Sequence, residues 1–108
     1  MHIISNGFKE VQFKKMKSAG IESYFEKIIL SDEVGVNKPH PDIFRYALNK
    51  TGSSENTSLM IGDNYDADIL GAMRSGLDQV YFNPLQKQIS DEFPTYEVQT
   101  LSEICDIL

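Results

Sequence analysis

Two carboxylates, Asp63 and Asp68, stand just past the short apolar run Leu59–Ile61, with Gly62 between run and acids. If the run is a buried strand, it delivers Asp63 to its carboxyl end, and Asp68 follows at the entry to an amphipathic stretch. Ligands of open parallel sheets gather beyond the carboxyl ends of the strands. Acidic oxygens placed there suit a hard cation such as Mg2+. Two further segments end in the same way: Ser5-Asn6-Gly7 follows Ile3-Ile4, and Lys38-Pro39 follows the strand Ile28–Leu30. A hydroxyl and backbone amides at the start of a helix, with a lysine alongside, suit a phosphate. The expectation is therefore a phosphate-and-metal site: Ser5, Asn6, Gly7 and Lys38 for the phosphate, Asp63 and Asp68 for the metal. Nothing in the set reads as a nucleophile.

Each of these residues also has a plainer reading. Asp63 and Asp68 can be first-turn acids favoured by a helix dipole. Gly62 favours the site, because a residue without Cβ lets other groups approach the backbone closely. Ser5 and Asn6 are good helix caps. Most lysines lie on the surface, yet Lys38 precedes Pro39-His40-Pro41, which constrains the chain. Asp66 reads as a helix N-cap, His40 as a loop residue, and Cys105 as packing in the last helix.

The elements that must position these residues alternate. His2–Ile4 reads as a strand. Phe8, Val11, Met16 and Ala19 share a helical face that Gly20 stops. Lys27–Leu30 is a second strand. Pro41 suits the first turn of a helix with the stripe Ile43, Phe44, Ala47 and Leu48, ended by Gly52. Leu59–Ile61 is the third strand, Ala67–Ser75 the third helix with Gly76 as its stop, and Val80–Phe82 the fourth strand. Residues 83–94 read as a loop and 96–99 as a weak fifth strand. Thr100 and Glu103 have capping-box spacing ahead of a helix carrying Ile104, Ile107 and Leu108. Strands alternating with helices of this length imply right-handed crossovers and a parallel α/β sheet.

The chain has 108 residues, enough for one small domain, and its 41% hydrophobic content supplies a core. A net charge of −6 argues against nucleic-acid polymers and anionic membranes as partners. It leaves a small phosphorylated metabolite open, since one lysine and a metal reverse the field locally. A single cysteine forms no internal disulfide and fits a reducing compartment. No apolar run approaches the ~20 residues of a membrane span, and the N-terminus shows no secretory signal. The cytoplasm is the expected location.

Together, Ile4-Ser5-Asn6-Gly7, Lys38-Pro39 and Gly62-Asp63-x-x-x-x-Asp68 resemble motifs II, III and IV of the haloacid-dehalogenase-like (HAD) hydrolase superfamily, in order and spacing as well as identity. The stretches Lys38–Phe44 and Ile61–Asn64 are similar to its phosphatase subfamily with a helical cap, and Tyr81-Phe82-Asn83-Pro84 resembles the pyrimidine-nucleotidase branch. The resemblance spans essentially the whole chain. It implies a Rossmann-like parallel sheet with flanking helices and Mg2+-dependent hydrolysis of phosphate monoesters, nucleoside monophosphates among them. Ser5 would bind the phosphoryl group, Lys38 would neutralise charge on it, Asp63 would coordinate Mg2+, and Asp68 would support the metal.

One family element is missing from the sequence. Motif I, Asp-x-Asp followed by Thr or Val, carries the nucleophile and the acid/base. In the family it ends a central first strand between those of motifs II and IV, and the cap follows it. The resemblance therefore implies that residues 1–108 are the C-terminal part of a HAD-like core, missing the usual central first strand and inactive alone. Without it, two strands are left with an open side and must close up, self-associate or accept a missing N-terminal segment. Two alternatives are a non-catalytic metal- or phosphate-binding domain or partner-completed subunit, and a response-regulator-like receiver. The receiver is disfavoured because the lysine here precedes the acids.

Overall fold

Among the described residues, short apolar runs punctuated by Gly and Pro become five parallel strands, with helices after β2, β3 and β5. The computed structural model describes residues 1–6, 27–89 and 92–107. Strand β1 is His2–Ser5, β2 is Lys27–Leu30, β3 is Leu59–Gly62, β4 is Asp78–Phe82 and β5 is Tyr96–Val98. Helix α1 is the single turn Ser31–Val34, α2 is Pro41–Thr51, α3 is Gly71–Arg74 and α4 is Ser102–Ile107. A wide, π-type helix, Tyr65–Leu70, runs directly into α3. The expected helix bearing Phe8, Val11, Met16 and Ala19, its Gly20 stop, and Gly7 lie outside the described residues.

All the pairing is parallel, as expected, but the sheet comes in two pieces. Among the described residues β1 pairs only with β2, in the register His2 to Lys27 through Ser5 to Leu30. The other piece has the order β3-β4-β5, with Leu59 opposite Asp78 and Val80 opposite Tyr96. Among the described residues no ladder joins the β1-β2 pair to the β3-β4-β5 piece.

Both pieces share one core. Ile29 of β2, Ile43, Phe44 and Ala47 of α2, Ala72 of α3 and Leu77 form its buried centre, and Ile4 of β1 and Met60 of β3 pack against it. Helix α2 presents these residues because its apolar positions recur at helical spacing. Its start is set by Pro41 and by His40, whose Nδ1 accepts from the Asp42 N–H at 3.1 Å. His40 is thus a cap rather than a plain loop residue. At Gly71 the packing leaves no room: a Cβ there would meet the Phe44 ring at 2.6 Å and the Pro39 backbone at 3.1 Å.

Three local expectations need correction. The strand Leu59–Ile61 is not fully buried: Ile61 is 39% exposed, because β3 has a strand on one side only among the described residues. The helix expected at Ala67–Ser75 begins at Tyr65, and its cap is Asn64, whose Oδ1 accepts from the Ala67 N–H at 3.0 Å. Asp66, expected as that cap, is exposed within the first turn. Cys105 is exposed; α4 turns Ile104 and Ile107 inward instead. Glu103 does reach back as its spacing predicts, its Oε1 accepting from the Thr100 N–H at 3.1 Å.

Candidate active site

The carboxyl ends of β1 and β3 meet at Lys38. Asn6, the residue after β1, grips the main chain of Lys38 with both ends of its amide. Its Oδ1 accepts from the Lys38 N–H at 2.8 Å, and its Nδ2 donates to the Lys38 carbonyl at 3.3 Å. The Lys38 side chain is only 12% exposed, and its Nζ lies 2.6 Å from Asp68 Oδ1. This is a charge-assisted hydrogen bond, short and directional. Lys38 is therefore held at its backbone from β1 and at its charge from the wide helix.

Asp68 lies within the wide helix. The wide turn from Asn64 onward directs its carboxylate back under the end of β3, where Oδ2 accepts from the Asn64 N–H at 3.2 Å. The carboxylate is 7% exposed and lies so close to Gly62 that a Cβ on that glycine would overlap it. Gly62 is thus required for close approach, with Asp68 as the group that approaches. Both Asp68 oxygens are engaged by protein donors. The sequence holds one Asp-x-Asp run, Asp66-Ala67-Asp68, and it lies in this helix with Asp68 committed to Lys38 rather than at a strand end.

Asp63, one residue past β3, is exposed. Its carboxylate acts on Tyr81 of β4, which stands beside Gly62 in the register. Burial pushes the Tyr81 phenol up, and the negative charges of Glu97, Asp63 and Asp66 push it further in the same direction. The Tyr65 and Tyr81 rings lie 5.7 Å apart, and the Tyr65 hydroxyl donates to the Glu92 carbonyl. Ser5 closes β1 half-buried, next to Asn6.

The expected residues thus gather at one end of the sheet, apart from Gly7, which lies outside the described residues. Among the described residues no three His, Cys, Asp or Glu side chains converge as metal ligands. The donor chemistry admits a lighter arrangement: Asp63 can offer one carboxylate to Mg2+, which commonly keeps several waters. A cleft of about 400 Å³ lined by Tyr65, Asp66, Leu70 and Arg74 includes neither Lys38 nor Asp63. Sequence reasoning missed the Asn6 clamp and the Lys38–Asp68 pair, since neither spacing nor residue type says which acid a distant lysine meets.

The family model for haloacid dehalogenase-like hydrolase matches residues 1–82, and the chain belongs to that family. It is 36% identical over 108 residues to pyrimidine 5'-nucleotidase YjjG of Escherichia coli K12, covering 98% of this chain and 48% of the relative. It is 32% identical over 103 residues to phosphoserine phosphatase of Thermus thermophilus, covering 94% and 41%. Among solved structures, HAD-hydrolase YfnB of Bacillus subtilis bound to magnesium superposes with a TM-score of 0.90 at 34% identity, covering 98% of this chain and 46% of that one. The chain spans about half the length of the relatives it matches, and the matching fold is the Rossmann-like α/β sheet of the family. No helix among the described residues is long and apolar enough to cross a membrane.

Proposed function

We propose that residues 1–108 are the C-terminal part of the core of a HAD-type phosphate monoester hydrolase. They would bring the phosphate-binding and charge-neutralising half of the site. The observation that carries this reading is the double hold on Lys38, by Asn6 at the backbone and Asp68 at the ammonium. A nearly buried ammonium fixed at a strand-end site is a preorganised point charge for a phosphoryl group. One of its three donors is spent on Asp68, which leaves the others for an anion. Ser5, Asn6 and Gly7 would contribute the hydroxyl and amides on the other side of that anion. Asp68 would act through Lys38, fixing where its charge stands, and through that charge would support the metal site.

Asp63 would hold Mg2+, aided by waters, and when bound the ion would supply Lewis-acid neutralisation of the phosphoryl oxygens. With one free carboxylate, affinity no tighter than about millimolar is expected. The nucleophile has no counterpart here: the lone Asp-x-Asp run is spent on the lysine. The chain alone is therefore expected to bind phosphate weakly and to turn nothing over. The substrate class is small phosphorylated metabolites. Nucleoside monophosphates are favoured by the YjjG similarity, in the cytoplasm, where the unpaired Cys105 is at home.

Calorimetry with inorganic phosphate, with and without Mg2+, tests the site. Heat of binding that disappears in Lys38→Met supports it; binding that Lys38→Met leaves unchanged overturns it. A parallel assay with p-nitrophenyl phosphate and Mg2+ tests the missing nucleophile. Turnover that scales with protein and is lost in Asp63→Asn would show that the chain carries one after all.

A further inference from the structure

The cleft beside the wide helix has two walls and a charge axis. One wall is the stripe Asp66, Leu70 and Arg74, which runs from the wide helix into α3. Residues four apart share one helical face. The facing wall carries Ile89 and Glu92, from the stretch after β4. At one end the Tyr65 hydroxyl donates to the Glu92 carbonyl and ties the walls together. That end holds two acids: Asp66, next to Tyr65 in the chain, and Glu92, bonded to it through its backbone. Arg74 stands two turns along the helix, roughly 10 Å away. Leu70 lies between the charged ends, and both Leu70 and Ile89 are half-buried. Asp66 and Arg74 are exposed, and among the described residues neither enters an ion pair or a side-chain hydrogen bond.

We infer that this cleft is a binding site for a small zwitterion whose charges stand at the two ends of an aliphatic chain, as in an ω-amino acid or lysine. Its carboxylate would sit on Arg74, whose guanidinium fork matches a carboxylate bidentately. Its ammonium, with three donors, would sit between Asp66 and Glu92, and the Tyr65 ring beside them adds cation–π attraction. Its methylenes would leave water against Leu70 and Ile89. The volume, about 400 Å³, lies in the range of small-ligand sites. Ligands with one head fit less well. A phosphate or simple carboxylate satisfies Arg74 but is repelled by the acidic end, and a simple amine leaves Arg74 unmet. The cleft includes neither Lys38 nor Asp63. The inference therefore stands whether or not the strand-end site hydrolyses phosphate esters.

An NMR titration of the intact chain with 6-aminohexanoate tests this, with hexanoate and hexylamine as probes that keep one head each. The expected result is saturable binding of the zwitterion, with shifts centred on Tyr65, Leu70 and Ile89. Each one-headed probe should bind about tenfold more weakly or worse, the size of one lost charge-assisted hydrogen bond. Arg74→Gln should weaken the zwitterion by about the same factor and leave hexylamine unchanged. Asp66→Asn should weaken it too and leave hexanoate unchanged. Both side chains are exposed, so neither change removes core packing. Lys38→Met, which should abolish phosphate binding, should leave the zwitterion unaffected, so failure of one site is distinguishable from failure of the other. No saturable binding, equal binding of all three probes, shifts centred elsewhere, or zwitterion binding that Arg74→Gln leaves intact overturns the inference.

Discussion

Strands β3 and β4 are neighbours of similar composition, yet they live in different environments. Leu59-Met60-Ile61 and Val80-Tyr81-Phe82 are both apolar runs. β4 has a strand on each side and buries Gln79, Val80 and Tyr81, while β3 has one partner among the described residues and leaves Ile61 exposed. The difference teaches that burial in a parallel sheet belongs to a position and not to a sequence. A strand is an interior strand only once both neighbours are present.

The sharpest way to break this comparison is to put the same charge into both strands. Val80→Asp buries an unpaired carboxylate at a site with no exposure and should cost more than about 4 kcal/mol, enough to unfold most small domains. Ile61→Asp should cost within about 1 kcal/mol, the span of strand propensities at a half-open site. Urea melts of the two variants check this; equal losses would mean that β3 is as enclosed as β4.

The next effect lies at the joint between the two pieces of sheet. Asp68→Ala takes the carboxylate from Lys38, whose side chain is 12% exposed when paired. Removing one partner of a buried pair costs ~3–5 kcal/mol. Gly62→Ala should act in the same direction, because the new methyl overlaps the Asp68 carboxylate. Thermal melts of Gly62→Ala, Asp68→Ala and the double variant should show losses well short of additive, as expected for two changes to one contact.

The smallest effect is confined to one piece and titrates. On α1, Glu33 accepts from the Leu30 N–H, the Tyr46 hydroxyl and Lys50 Nζ of α2. Burial works to raise its carboxyl, but the hydrogen bonds from Lys50, the Leu30 backbone and Tyr46 outweigh it and hold it below its usual 4.5. A carboxyl lowered by folding stabilises above its unfolded value, and that share is lost as pH falls through the folded one. The complementary shift raises Lys50 above 10.5, first through its hydrogen bond to Glu33, so its share is lost as pH rises through that raised value. Melting temperature should fall by a few degrees on acidification below about pH 4.5, and Glu33→Gln should flatten that acid limb.

Much of the architecture could be read from punctuation. Pro41 and Gly52 bracket α2, Gly76 ends the helix before β4, and Ser5 and Asp63 stand at the ends of β1 and β3, whereas Lys38, expected directly after β2, lies beyond the unexpected turn α1. Other features could not be read, because they depend on partners far apart in sequence. Asp68 looks like a metal acid by spacing, but its oxygens are satisfied by Lys38, 30 residues away, and by a turn widened at Asn64. Ile61 looks like core by composition, but its exposure is set by which strands lie beside β3. Cys105 looks like packing, but the face of α4 is chosen by Ile104 and Ile107.

Asn6 lies one residue beyond β1 and holds Lys38 by the backbone at both N–H and carbonyl. Strand and lysine are thereby coupled like the arm and pointer of a gauge. Any shift at the end of β1 is handed to the main chain of Lys38 through one short, two-point amide clamp. The ammonium tied to Asp68 is thereby referenced to the end of β1 as well as to the wide helix.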